Sequence, residues 1–168
     1  METKYPRLVE HQQHALAAIR IFLGLWFLWA VSGKLSAHWV GDFAKLMTSL
    51  AASTPIHAYG EFLSSVVVPG AQGFAFMVIL GELAAGICLT LGLFTAPAAL
   101  IGATLNLNFL LATAGAGQAA VGLNLTFLVV EIALAFSYAG TTWGLDRHVI
   151  GKLPWWFQGL LHYEYREF

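Results

Sequence analysis

Four apolar runs, each long enough to cross a bilayer and each nearly free of charge, constrain this chain more than any other feature. They cover about residues 15–35, 71–94, 97–113 and 123–139. A hydrocarbon core ~30 Å thick needs about 20 helical residues at ~1.5 Å rise per residue. Within lipid every backbone N–H and C=O must be bonded inside the segment, which a helix achieves unaided. The sequence therefore predicts an all-α integral membrane four-helix bundle, with the 168 residues forming one membrane domain. Composition agrees: 58% of residues are hydrophobic and 10% charged, against roughly a quarter charged in a soluble domain.

The links after the second and third runs are short and hold turn formers, Phe94-Thr95-Ala96-Pro97 and Ala114-Gly115-Ala116-Gly117-Gln118. Such links make consecutive helices antiparallel. The first run lacks the shorter apolar centre and small-residue cleavage site of a signal peptide, so it reads as an uncleaved helix. Between the first and second runs lie about residues 36–70, where His38 to Leu50 mixes Trp39, Phe43, Leu46, Met47 and Leu50 with Asp42 and Lys45. That mixture predicts a surface helix lying on the membrane or lidding the bundle. From Pro154 onward Trp155, Trp156, Tyr163 and Tyr165 alternate with charged residues, as in an interfacial segment. Lys4, Arg7, Arg147, Lys152 and Arg166 fall on one side of a four-span topology, Lys34 and Lys45 on the other. The positive-inside bias then predicts that both termini are cytoplasmic.

Four ionisable residues interrupt or end these runs: Arg20, Lys34, Glu82 and Glu131. A charge at the bilayer centre costs at least ~2.5 kcal/mol, so such groups are expected to face one another or a wet cavity. Arg20, Gly24, Phe27, Val31 and Lys34 follow steps of three and four and share a helix face. Asn124, Glu131 and Tyr138 recur every seven residues in the fourth run. Glu82 sits among Gly81, Ala84, Ala85 and Gly86, small residues that allow close helix approach. Glu82, Asn106 and Glu131 fall near the middle of their spans, which predicts a polar layer at mid-membrane. Lys34, at a helix end, is expected to snorkel to the interface. Arg20 is then the base left to hold at least one glutamate, and two acids against one deep base leave one carboxyl carrying its proton. The expected site is a pocket bordered by Arg20, Glu82 and Glu131, with Asn106, Asn124 and Tyr138 as polar contacts and Phe27, Phe109 and Phe127 as apolar walls.

Several functions lose support. A net charge of -1 gives no basic field for nucleic acid. The single cysteine, Cys88, excludes an internal disulfide and a CxxC dithiol. His11 and His14 are three apart without a further ligand, so no metal site is expected there. No haem, flavin, nicotinamide or iron–sulfur motif is present. Any redox role must borrow its electron carrier.

The first run carries Arg20, Leu23-Gly24-Leu25, Phe27-Leu28 and Gly33-Lys34-Leu35. With Gly81-Glu82-Leu83, Leu91-Gly92-Leu93-Phe94-Thr95 and the closing Trp143-Gly144-Leu145-Asp146, it resembles the DoxX/DoxD-like membrane proteins over about Ala15 to His148. That family is related to the large subunit of thiosulfate:quinone oxidoreductase. The resemblance implies a multi-pass protein of a bacterial or archaeal inner membrane, serving as a subunit of a quinone-linked oxidoreductase. It further implies quinone as the redox partner molecule and a second membrane or soluble redox subunit, and it is compatible with a homo-oligomer. In that reading Glu82 and Glu131 handle protons or orient the quinone. The alternatives are a non-catalytic scaffold that recruits a soluble redox or sulfur-metabolism enzyme, and a small carrier or lipid-pocket protein.

Overall fold

The computed structural model describes residues 6–153. Helix α1 (Pro6–Ser32) leads into α2 (Ala37–Ser53) and α3 (His57–Phe62), which continues as one π turn over Leu63–Val67. Helices α4 (Ala71–Leu91), α5 (Thr95–Ala112) and α6 (Gln118–Ala135) follow, and the short α7 (Asp146–Val149) runs into a 3-10 turn over Ile150–Lys152. Four helices are long and apolar enough to cross a membrane, Glu10–Ser32 within α1 and the whole of α4, α5 and α6. The interfacial segment expected from Pro154 lies outside the described residues.

Small residues bring the spans together. Helix α1 packs on α4, α4 on α5 and α5 on α6. Where α1 meets α4, a Cβ at Gly86 would stand 2.9 Å from the Leu28 side chain. The small-residue run around Glu82 therefore does the packing expected of it. The core between spans is Leu23, Phe27, Ala85, Leu89, Ala99, Phe127 and Leu134. Leu25, Trp29, Met77, Leu80 and Val129 point outward, all more than half exposed, as lipid-facing residues do.

The ends of the spans are set by long-range contacts as well as by hydropathy. Helix α4 stops at Leu91 because Gly92 turns left-handed at φ 62°. Leu93 N then donates to Cys88 O and Gly92 N to Leu89 O, the paired bonds of a Schellman motif. Helix α5 begins at Thr95, two residues before Pro97, because a side chain from elsewhere caps its first amides; a proline is tolerated in a helix's first turn. Helix α6 begins right after Gly117, ahead of the apolar run, and ends at Ala135.

The long first connection folds back over one end of the bundle. Ser36 opens α2 by accepting from Trp39 N at 3.2 Å. Helix α2 then packs against α4 and the π turn, so Phe43, Leu63, Val67, Ala75 and Ala112 form a second apolar cluster. Of the two placements expected for this helix, the packing is that of a lid.

Candidate functional site

Lys34, rather than Arg20, is the cation that meets a buried glutamate. Two residues beyond the end of α1, its side chain reaches back between α1 and α4, and Nζ donates to Glu82 Oε1. The Glu82 side chain is 2% exposed and that of Lys34 is 21% exposed. The second carboxylate oxygen, Oε2, is buried without a hydrogen-bond partner among the described residues. Snorkelling was the expectation for Lys34; the acid across the helix pair holds it inward instead, because an isolated carboxylate at that depth would be far more costly.

Arg20 lies at the opposite end of the bundle and corrects the expected pairing. Its side chain is fully buried, and Nη2 donates to Trp143 O at 3.0 Å. The guanidinium rests against Gly92 and Gly144. Beside it, Asp146 accepts from Phe94 N at 2.6 Å and Thr95 N at 3.1 Å, which caps α5 from the far side of the chain. Leu145 N donates to Leu91 O and Asp146 N to Gly92 O, so the 143–146 segment is tied to the α4–α5 turn. Three sequence landmarks, Arg20, 91–95 and 143–146, therefore converge into a clasp. Gly92→Ala would force an L residue into the left-handed region at a cost of ~1–2 kcal/mol and drive its Cβ into the Arg20 guanidinium. A clear fall in melting temperature in detergent is expected; an unchanged melt would mean that Arg20 is not seated there.

Glu131, fully buried on α6, accepts from Asn106 Nδ2 at 2.8 Å. Gly102 on α5 leaves room for it beside the Phe27 ring. Its Oε2 is likewise buried without a hydrogen-bond partner among the described residues. Neither glutamate meets Arg20. Tyr138 does not join the site, because α6 ends at Ala135 and Tyr138 lies beyond it, half exposed.

Two cavities share Lys34 in their walls. A small cavity of about 150 Å³ between the spans is lined by Trp26, Phe27, Ala30, Lys34, Glu82, Asn106, Phe109, Leu123, Asn124 and Phe127. Six of the residues expected at the site, Glu82, Asn106, Asn124, Phe27, Phe109 and Phe127, are thus gathered there, and Glu131 sits one residue behind, through Asn106. A larger chamber of about 530 Å³ lies under α2 and α3, walled by Trp39, Phe43, Met47, Phe62, Phe74 and Phe109 among others. Lys34, Phe109 and Asn124 border both.

Polar groups in the large chamber are few and placed. Tyr59 Oη donates to Asn108 Oδ1 at 3.0 Å, and Asn108 Nδ2 donates to Thr104 O at 2.7 Å. Burial pushes the Tyr59 phenol above its ordinary value, so it keeps its proton and stays a donor. Lys34 Nζ stands 5.9 Å from the Trp39 ring centroid and 5.5 Å from that of Phe109. Nothing in the residue pattern pointed to the Tyr59–Asn108 pair, since α3 is not apolar enough to read as part of the bundle. Among the described residues no group of three or more His, Cys, Asp or Glu could hold a metal ion.

A bundle of four long apolar helices with an ion pair and an internal chamber defines a multi-pass helical membrane protein. The family model for DoxX matches residues 15–115, and the chain belongs to the DoxX family. No curated protein and no solved structure matches it.

Proposed function

We propose that this protein is the membrane subunit of a quinone-linked oxidoreductase, and that the chamber under α2 and α3 receives the quinone ring. The observation that carries the reading is Lys34, held by Glu82, at the wall of a chamber of about 530 Å³ whose other walls are mostly aromatic and aliphatic. A mostly apolar cavity of several hundred Å³ with a few placed polar groups is the usual form of a small-molecule site. A ring seated between Trp39 and Phe109 would bring one carbonyl oxygen to the Lys34 ammonium, which has N–H groups to spare beyond the one given to Glu82. That ammonium stabilises negative charge developing on the oxygen and can pass it a proton. Glu82 fixes the ammonium in place. The electrons come from a partner redox subunit, because this chain has no electron-carrier motif of its own.

Glu82→Gln keeps the size and removes the charge that holds Lys34. Turnover of the assembled complex is expected to fall roughly a hundredfold or more, while the amount of complex falls much less. A scaffold that only recruits an enzyme predicts unchanged turnover wherever assembly is intact.

The same reading places the protein in a bacterial or archaeal inner membrane with both termini in the cytoplasm. A reporter fused at the C-terminus should give a cytoplasmic signal and one inserted after Thr113 an external signal. Matching signals from both would contradict four spans.

A further inference from the structure

Reduction of a quinone to a hydroquinone takes two electrons and two protons, with one O–H bond formed at each carbonyl oxygen. Resting on the reading above, the partner redox subunit supplies the electrons. The Lys34 ammonium and Glu82 carboxylate together hold one transferable proton, so a second must come from another group. Behind the pair lies the 150 Å³ cavity, well above the ~10–15 Å³ that one water needs. Its polar lining is Lys34, Glu82, Asn106 and Asn124. Glu82 Oε2 and Glu131 Oε2 are both buried acceptors that no described residue satisfies. The cavity is polar and roomy and is lined by Glu82, whose Oε2 is unsatisfied, with Glu131 one residue behind it through Asn106; such a space is where ordered water belongs.

We propose that this cavity is a water-lined proton passage joining Glu82 to Glu131, and that Glu131 is the store from which the second proton is drawn. Asn106 is the hinge of the arrangement, because it lines the cavity and holds Glu131 Oε1 through its amide. The proton leaves the Glu131 carboxyl, crosses the water in the cavity, and reaches the Glu82–Lys34 pair; Glu131 is left as a carboxylate until it is refilled. The element packing around Glu131 offers no competing charge. From α5 it meets Gly102 and Asn106, from α1 the Phe27 ring, and Asn106 is its one electrostatic partner among the described residues. Asn106 stands between Glu131 and the cavity that Glu82 and Lys34 line.

The test is infrared spectroscopy of the full-length protein in lipid nanodiscs, moved from light to heavy water. Wild type is expected to show a protonated-carboxyl band that is absent in Glu131→Gln and shifts promptly in heavy water. Ala30→Leu and Asn124→Leu each push a larger apolar side chain into the cavity and should slow that shift by about tenfold or more, a barrier of at least ~1.4 kcal/mol. Two fillers on different helices guard against one of them misfolding, and Glu131→Asp should restore an exchanging band. A wild-type protein without the band, a band that survives Glu131→Gln, or exchange equally fast in both filled variants would each overturn the passage. Binding of a short-tailed benzoquinone, measured by equilibrium dialysis on the same samples, separates the two ideas. Exchange through Glu131 without quinone binding removes the quinone reading and leaves the passage standing, whereas quinone binding with an inert Glu131 does the reverse.

Discussion

Lys34→Met is expected to lower the stability of the protein in detergent by about 3–5 kcal/mol, the usual result of stripping one partner from a buried ion pair. The remaining Glu82 is 1% exposed, and its carboxylate would be left with neither oxygen bonded to a described side chain. The double variant Lys34→Met/Glu82→Leu should recover most of that loss, since replacing a buried pair with apolar side chains is often neutral. Thermal melts of the two single variants and the double complete the cycle. Single-variant costs that simply add would show that the two side chains do not interact.

Asp146→Ala is the second large effect. The carboxylate is fully buried and accepts from two backbone amides at the start of α5. Each buried N–H left unsatisfied costs ~1–3 kcal/mol, so about 2–6 kcal/mol is expected for the two. The loss should be local at first, because the amides of 93–96 at the start of α5 and the 143–146 segment depend on the same side chain. Hydrogen exchange is expected to accelerate there while Asn106 and its neighbours stay protected. Uniform acceleration across all four spans would mean that the clasp does not act as a separable unit.

The four spans were legible because a bilayer reduces the problem to length and hydropathy, and both are written in the sequence. The grouping was legible in part: Glu82, Asn106 and Glu131 were expected in one layer, Glu82 and Asn106 line the small cavity, and Glu131 is bonded to Asn106 behind it. Which cation would pair with Glu82 was not. By spacing alone Arg20 and Lys34 fall on one helical stripe, on the order of 20 Å apart at ~1.5 Å per residue, so either could have been chosen. The choice is made by the 143–146 segment, whose backbone takes Arg20 at the other end, and no local pattern announces that contact. Tyr138 failed for a related reason, since a seven-residue repeat holds only while the helix continues and α6 ends three residues short of it. The pattern from His38 to Leu50 announced a helix on the membrane or over the bundle, but not that a chamber would lie beneath it against α4 and α5. Placement of that kind is tertiary, decided by which apolar faces remain uncovered after the spans have packed.

The most direct test of the quinone reading is to extract and quantify quinone from the purified protein, beside a variant whose chamber is filled. Ala112→Phe adds a ring to the α5 wall of the chamber without touching Lys34 or Glu82. The account predicts quinone close to one per chain in wild type and a level no higher than that of the surrounding lipid in Ala112→Phe, with both proteins equally folded. Equal amounts in the two proteins, or none above the lipid background in wild type, would contradict it.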